Sequence, residues 1–186
     1  MAVLDIVIWP DPVLETPAKE VEVFDDDLRN FVADMHETMK HAQGIGLAAN
    51  QVGDLRRVLV IEIPYDGERY EQDTEVKKEW HNKAFTFINP KIIKRGGKIK
   101  FQEGCLSFPE IFETIERANE ITVEAFDENG KKFTVEADDI FAVCLQHEID
   151  HIDGKVFISR MSRLKSGLVR KKLAKLGNIK EIEAVK

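Results

Sequence analysis

A chain of 186 residues, 43% hydrophobic and 33% charged, can bury one core without disulfides and is too apolar to be disordered. Two cysteines, Cys105 and Cys144, exclude a disulfide scaffold and suit a reducing compartment. The net charge of −7 is uneven, because residues 160–186 carry nine Lys or Arg against Glu181 and Glu183, and residues 1–159 carry 18 basic and 32 acidic side chains. A basic C-terminal arm on an acidic body suggests a polyanionic partner such as RNA, or else a solvated amphipathic helix. No apolar run approaches the ~20 residues of a membrane span, and Met1-Ala2-Val3-Leu4-Asp5 lacks the basic start of a signal peptide. The expectation is a cytoplasmic enzyme.

In chain order, acids at Asp25-Asp26-Asp27 open a first helix, with Leu28, Phe31, Val32, Met35 and Met39 at helical spacing and an end before Gly44. Gly44 to Gln51 is a small-residue segment without a clear period. Arg57 to Ile63 reads as a buried strand. Pro64 to Lys83 is polar and charged, and is expected as a long surface excursion. Phe85–Ile88 and Lys91–Lys94 read as short strands interrupted at Asn89-Pro90, and Gly96-Gly97 as a hairpin turn into Lys98–Phe101. Ile121–Phe126 and Lys132–Ala137 flank the turn Asp127-Glu128-Asn129-Gly130. Asp138 or Asp139 then caps a helix through Ile140 to Ile152, ended by Gly154, and a last helix runs from about Ser162 to Leu176. The predicted class is α+β: antiparallel sheets packed around a central metal-binding helix, with a C-terminal helix.

The run His147-Glu148-Ile149-Asp150-His151 carries the chemistry. Residues four apart on a helix share a face with roughly 6 Å of rise, so two imidazoles can close on one ion while Glu148 reaches a water on it. Catalytic sites of this kind take a third protein ligand and leave one position open. A downstream ligand is missing, since Phe157 stands where the extended zinc-peptidase motif has its last His, and 155–180 contain no Asp, Glu or His. Cys144 lies about 7.5 Å of rise from the centre between the two histidines, beyond its reach, and reads instead as a pocket wall. Cys105, in Glu103-Gly104-Cys105-Leu106-Ser107, is the best candidate, since a thiolate with two imidazoles is a known catalytic set.

Three segments in order, Gly44-Ile45-Gly46-Leu47-Ala48-Ala49-Asn50-Gln51, Glu103-Gly104-Cys105-Leu106-Ser107 and Gln146-His147-Glu148-Ile149-Asp150-His151, resemble the signature of the peptide deformylases. The likeness spans about residues 1–165, taken as the catalytic domain, with 166–186 as a basic C-terminal helix or tail. It implies removal of the N-formyl group from the formyl-methionine of nascent proteins, a co-translational step of protein biosynthesis. It implies one Fe(II) on Cys105, His147 and His151, with Zn, Ni or Co as possible substitutes; ligand chemistry alone would favour zinc. Metal-bound water would attack the formyl carbon, with Glu148 as general acid and base. The family pattern assigns charge on the formyl oxygen to the Gln51 amide and the Leu106 backbone N–H.

Ile45, Val143 and Cys144 would form an apolar pocket for the methionine, and Gly44, Gly46 and Gly104 would leave backbone open to an extended peptide. A monomer is expected, with the basic helix around Arg163, Lys165, Arg170, Lys171, Lys172 and Lys175 available to ribosomal RNA. The chain departs from many relatives at Glu110, where glycine is common, and at Ile111-Phe112, where an arginine often holds the substrate. Ile152 stands for the usual leucine. A zincin-type peptidase would explain the helix motif but neither Cys105 nor the Gln51 segment. A binding module with a structural metal would need a fourth ligand and leave Glu148 without a role.

Overall fold

The computed structural model describes residues 2–64 and 79–184. Asp25 starts the first long helix, α1 (Asp26–His41), by accepting a hydrogen bond from the Leu28 amide at 3.0 Å. Leu28, Val32, Met35 and Met39 are its buried stripe, as the spacing predicts, and Phe31 is half-buried at its margin. Seven strands follow: β1 (Gly46–Ala48), β2 (Val58–Ile61), β3 (Phe85–Gly96), β4 (Ile99–Cys105), β5 (Phe108–Arg117), β6 (Glu120–Phe126) and β7 (Lys132–Asp138). Among the described residues they pair antiparallel in a five-stranded sheet, ordered β1-β2-β3-β6-β7, and a two-stranded β4-β5 sheet.

β2 contains no polar residue because both of its faces are covered. Val58 and Val60 pack with the buried stripe of α1, while Leu59 and Ile61 pack with the central helix α2 (Asp139–Ile152) on the other side. Every residue from Ile140 to Ile152 is buried, because the five-stranded sheet, β4 and the short 3-10 turn Ala49–Val52 enclose it. A third cluster joins Leu14, Phe108, Ile115 and Phe157 to Val169 and Leu173 of the last helix, α3 (Arg163–Ala184). That helix is longer than the predicted 162–176.

Several expectations are corrected. Asn89-Pro90 does not break the strand: Asn89 adopts φ 51 in a bulge of β3, and its side chain bonds both the N–H (2.8 Å) and C=O (2.9 Å) of Val21. Gly96-Gly97 is not a hairpin, since β3 pairs with β6 and β4 with β5; Gly97, at φ 58, marks where the chain leaves one sheet for the other. β5 was not foreseen, because a bulge near Glu110 breaks the alternation that Ile111, Ile115 and Arg117 otherwise show. Residues 65–78 of the polar excursion lie outside the described residues. At its end, Trp80 is buried against Phe141 with ring centroids 5.4 Å apart, not on the surface.

Candidate active site

The buried second half of α2 sets His147 and His151 one turn apart, with ring centroids 5.0 Å from each other. β4 ends beside them and delivers Cys105, whose Sγ lies 3.2 Å from His151 Nε2. One ligating atom from each of Cys105, His147 and His151 falls within 4.8 Å of the others, close enough for small side-chain shifts to bring all three onto a single ion. His147 Nδ1 is engaged with Glu103 Oε2 at 2.8 Å, so Nε2 is the atom it offers. Among the described residues three ligands converge rather than four, a set that suits a coordination position open to solvent or substrate.

The electrostatics also fit a cation. Burial would lower the His147 pKa, but hydrogen bonds to Cys105 and Glu103, with the negative charges of Cys105 and Glu148, push it up to about 10. Burial and the charge on His147 hold His151 well below its ordinary range. The pocket thus draws in one positive charge and keeps the second imidazole neutral, the form that ligates. Glu148 is raised to about 7, chiefly by burial, against the pull of His147 and Arg117. Its Oε2 is buried and has no hydrogen-bond partner among the described residues. Gly46 makes room for that carboxylate: a Cβ there would lie 2.5 Å from Glu148 Oε1 and 2.8 Å from Cys144 Sγ.

An open groove of about 1390 Å³ runs along this site. Gln51, Cys105, Leu106, His147 and Glu148 line it, whereas His151 lies behind them. Gly44, Ile45, Gly46, Gly104, Val143 and Cys144 also line it, so the residues singled out for substrate share one surface. Cys144 is no ligand: its thiol points at the Ile45 carbonyl (3.7 Å), and burial pushes its pKa well up, keeping it protonated. Gln51 is locked. Its Oε1 accepts from the Ala48 amide at 2.8 Å, which turns Nε2 toward Cys105 Sγ (3.5 Å) and Ser107 Oγ (3.3 Å). The Leu106 side chain rests where a Cβ on Gly44 would come within 2.8 Å of it.

Behind the ligands lies a buried ionic chain that the sequence did not reveal. Glu103 accepts from His147 and, through both oxygens, from the fully buried Arg117 (Nη2 to Oε2 2.8 Å). Arg117 Nη1 donates to Asp150 Oδ2 at 2.8 Å, and Arg160 donates to both oxygens of Asp150. Asn50 adds a bond from Nδ2 to the His151 carbonyl at 2.5 Å. Glu103 was legible in principle, because residues two apart on a strand share a face and Cys105 was already marked. Arg117 carried no such signal.

Residues 3–167 match the profile of the polypeptide deformylase family. The chain belongs to that family. A peptide deformylase of Neisseria meningitidis is 44% identical over 175 residues, which cover 94% of this chain and 96% of the relative. A crystal structure of peptide deformylase from Ehrlichia chaffeensis superposes with a TM-score of 0.87 at 40% identity, covering 96% of this chain and 99% of that one. A second structure of that protein, in complex with actinonin, gives a TM-score of 0.84 at 41% identity, covering 94% and 98%. The chain is accordingly an enzyme, a metal-dependent hydrolase of the deformylase family with Cys105, His147 and His151 as its metal-binding group. The zincin and structural-metal readings fall away, and no helix among the described residues is long and apolar enough to cross a membrane.

Proposed function

We propose that this chain removes the formyl group from the N-terminal formyl-methionine of newly made proteins, using one Fe(II) held by Cys105, His147 and His151. The observation that carries the reading is the convergence of those three ligands beside Glu148, a buried carboxylate with one oxygen unpartnered among the described residues. Iron rather than zinc rests on the family resemblance, and Zn, Ni or Co would suit the same donors. When bound, the ion acidifies a water and polarises the formyl oxygen.

Glu148 Oε2 is placed to take a proton from the attacking water as the water's oxygen adds to the formyl carbon. The same carboxyl returns the proton to the amine nitrogen as the C–N bond breaks, leaving formate and a free methionine amine. A pKa of about 7 suits a group that must first accept a proton and then give it up near neutral pH. Gln51 Nε2, fixed by the Ala48 bond, and the Leu106 backbone N–H donate to the formyl oxygen as charge builds on it. Ile45, Val143 and Cys144 wall the methionine pocket, where an unbranched side chain fits an apolar surface. Gly44, Gly46 and Gly104 leave backbone free for an extended peptide.

We infer that the protein acts as a monomer in the cytoplasm on nascent peptides. Residues 1–165 hold the whole site, and the basic C-terminal segment 166–186 belongs with the same domain, as the packing of Val169 and Leu173 supports. Arg163, Lys171 and Lys172 are exposed on α3 and available to ribosomal RNA, whereas Lys165 and Arg170 pair with Glu113 and Glu15. Lys175 falls outside the described side chains.

The test is formate release from a formyl-Met tripeptide by Fe(II)-loaded protein under anaerobic conditions. Wild type should turn over, and Glu148→Ala, with metal stoichiometry retained, should lose on the order of 10²–10⁴ in kcat. No formate from folded, metal-loaded wild type would overturn the reading.

A further inference from the structure

The Gln51 side-chain amide has two N–H groups to place, and they meet different partners: Ser107 Oγ at 3.3 Å and Cys105 Sγ at 3.5 Å. The two bonds differ in kind. Ser107 is fully buried, so no solvent competes for its hydroxyl, whereas Cys105 is a metal ligand that lines the groove. Pinning one N–H on Ser107 therefore turns the other toward the ligands, where an arriving formyl oxygen can replace the sulfur as its acceptor. The Ala48 bond to Oε1 does not do this alone, because an amide oxygen accepts over a broad range of angles and leaves the amide plane room to tilt.

The same two residues are held from behind by one stretch of the N-terminal segment. Val7 N–H donates to the Gln51 carbonyl (2.8 Å) and Trp9 N–H to the Ser107 carbonyl (3.0 Å), with exposed Ile8 between them. Val7, Gln51, Ser107 and Trp9 thus close a ring of hydrogen bonds, which ties the 3-10 turn bearing Gln51 to the turn between β4 and β5. Ser107 also follows Leu106 in the chain, so it is bound to both residues that carry the N–H donors of the reaction.

We propose that Ser107 is a positioning residue for the formyl oxygen's donors: its hydroxyl holds one N–H of Gln51 so that the other is aimed at that oxygen as charge develops. The proposal rests on the deformylase reading above. A donor aimed in advance needs no reorganisation during the reaction, so its benefit falls on kcat rather than on KM.

The experiment measures kcat and KM on a formyl-Met tripeptide for Ser107→Ala in the wild-type and Gln51→Ala backgrounds, with metal content determined alongside. In the wild-type background kcat should fall roughly three- to tenfold, the worth of one hydrogen bond, with KM and metal content unchanged. In the Gln51→Ala background the same change should alter kcat by less than about twofold, because no amide remains to be aimed. A readout without turnover is the Gln51 side-chain N–H pair in proton–nitrogen correlation spectra of zinc-loaded protein, which should lose its protection from solvent exchange in Ser107→Ala. An unchanged kcat in Ser107→Ala, equal losses in both backgrounds, or an unmoved Gln51 pair would each overturn the proposal, while formate release by wild type keeps the deformylase reading intact. No formate from wild type would remove both.

Discussion

Glu103→Gln tests whether the buried ionic chain tunes the metal site or only holds the fold together. In the native protein Oε2 accepts from both His147 Nδ1 (2.8 Å) and Arg117 Nη2 (2.8 Å), while Oε1 accepts from Arg117 Nε. Glutamine keeps the shape but offers one acceptor oxygen. With that oxygen toward His147 and Nη2, its NH₂ faces the Arg117 Nε–H, donor against donor. One charge-assisted bond is lost, and a buried donor is left unpaired, at about 2–4 kcal/mol in stability. The lost negative charge also weakens His147 as a ligand, which should loosen metal binding by about 10- to 100-fold.

Two measurements separate these effects: urea unfolding of the metal-free protein, and chelator competition for the metal at fixed pH. The expected result is a weaker Kd at denaturant concentrations where the variant is fully folded. A metal Kd equal to wild type, with stability alone reduced, would refute the idea that Glu103 acts on the metal through His147. Unchanged stability would refute the assignment of the pair as a fully buried one, since breaking such a pair from one side leaves Arg117 with Asp150 alone on that side.

Gly46→Ala places a methyl where Glu148 Oε1 (2.5 Å) and Cys144 Sγ (2.8 Å) now sit, so the carboxylate must move. Metal content should hold while kcat falls on the order of 10²-fold, read by metal analysis beside formate release. His36 is held below its ordinary value of 6.5, first by burial, with Glu62 opposing. The unfolded chain therefore takes up a proton at higher pH than the folded protein does. The His36 contribution is complete above 6.5 and is lost as pH falls from there toward the folded pKa. The urea midpoint should drop less between about pH 7.5 and about pH 5.5 in His36→Gln than in wild type, and equal drops would count against this. Glu110 holds φ 60, a conformation that favours glycine, so Glu110→Gly should stabilise by up to about 1 kcal/mol, a rise of about 2–4 °C in Tm by calorimetry.

Much of this site is written locally. His147, Glu148 and His151 announce themselves because one helix turn fixes their spacing, whatever the rest of the chain does. α1 and the β6-β7 hairpin were legible for the same reason, through the buried stripe from Leu28 to Met39 and the Asp127–Gly130 turn. Cys105 was reachable by asking what a three-ligand site lacked. The β4-β5 sheet was not, because its pairing runs through bulges near Gly104 and Glu110 that blur the period of two. Gly96-Gly97 looked like a hairpin because a glycine pair fits both a tight turn and a crossing between sheets.

Arg117 shows why the remainder stayed hidden. An isolated arginine in a sequence belongs by default to the surface, and only tertiary structure brings Glu103 from β4 and Asp150 from α2 against it. Yet its place follows from what the metal centre needs. Two ligands ride on a helix and are held at a fixed separation by its hydrogen bonds, while the third rides on the end of a strand in a separate two-stranded sheet. Nothing local fixes the distance between helix and strand. Arg117, on β5, grips a carboxylate from each, and Arg160 grips the second from the far side. The same bonds that orient His147 therefore dock β4 onto α2, so the position of Cys105 and the basicity of His147 are set by one network rather than by two.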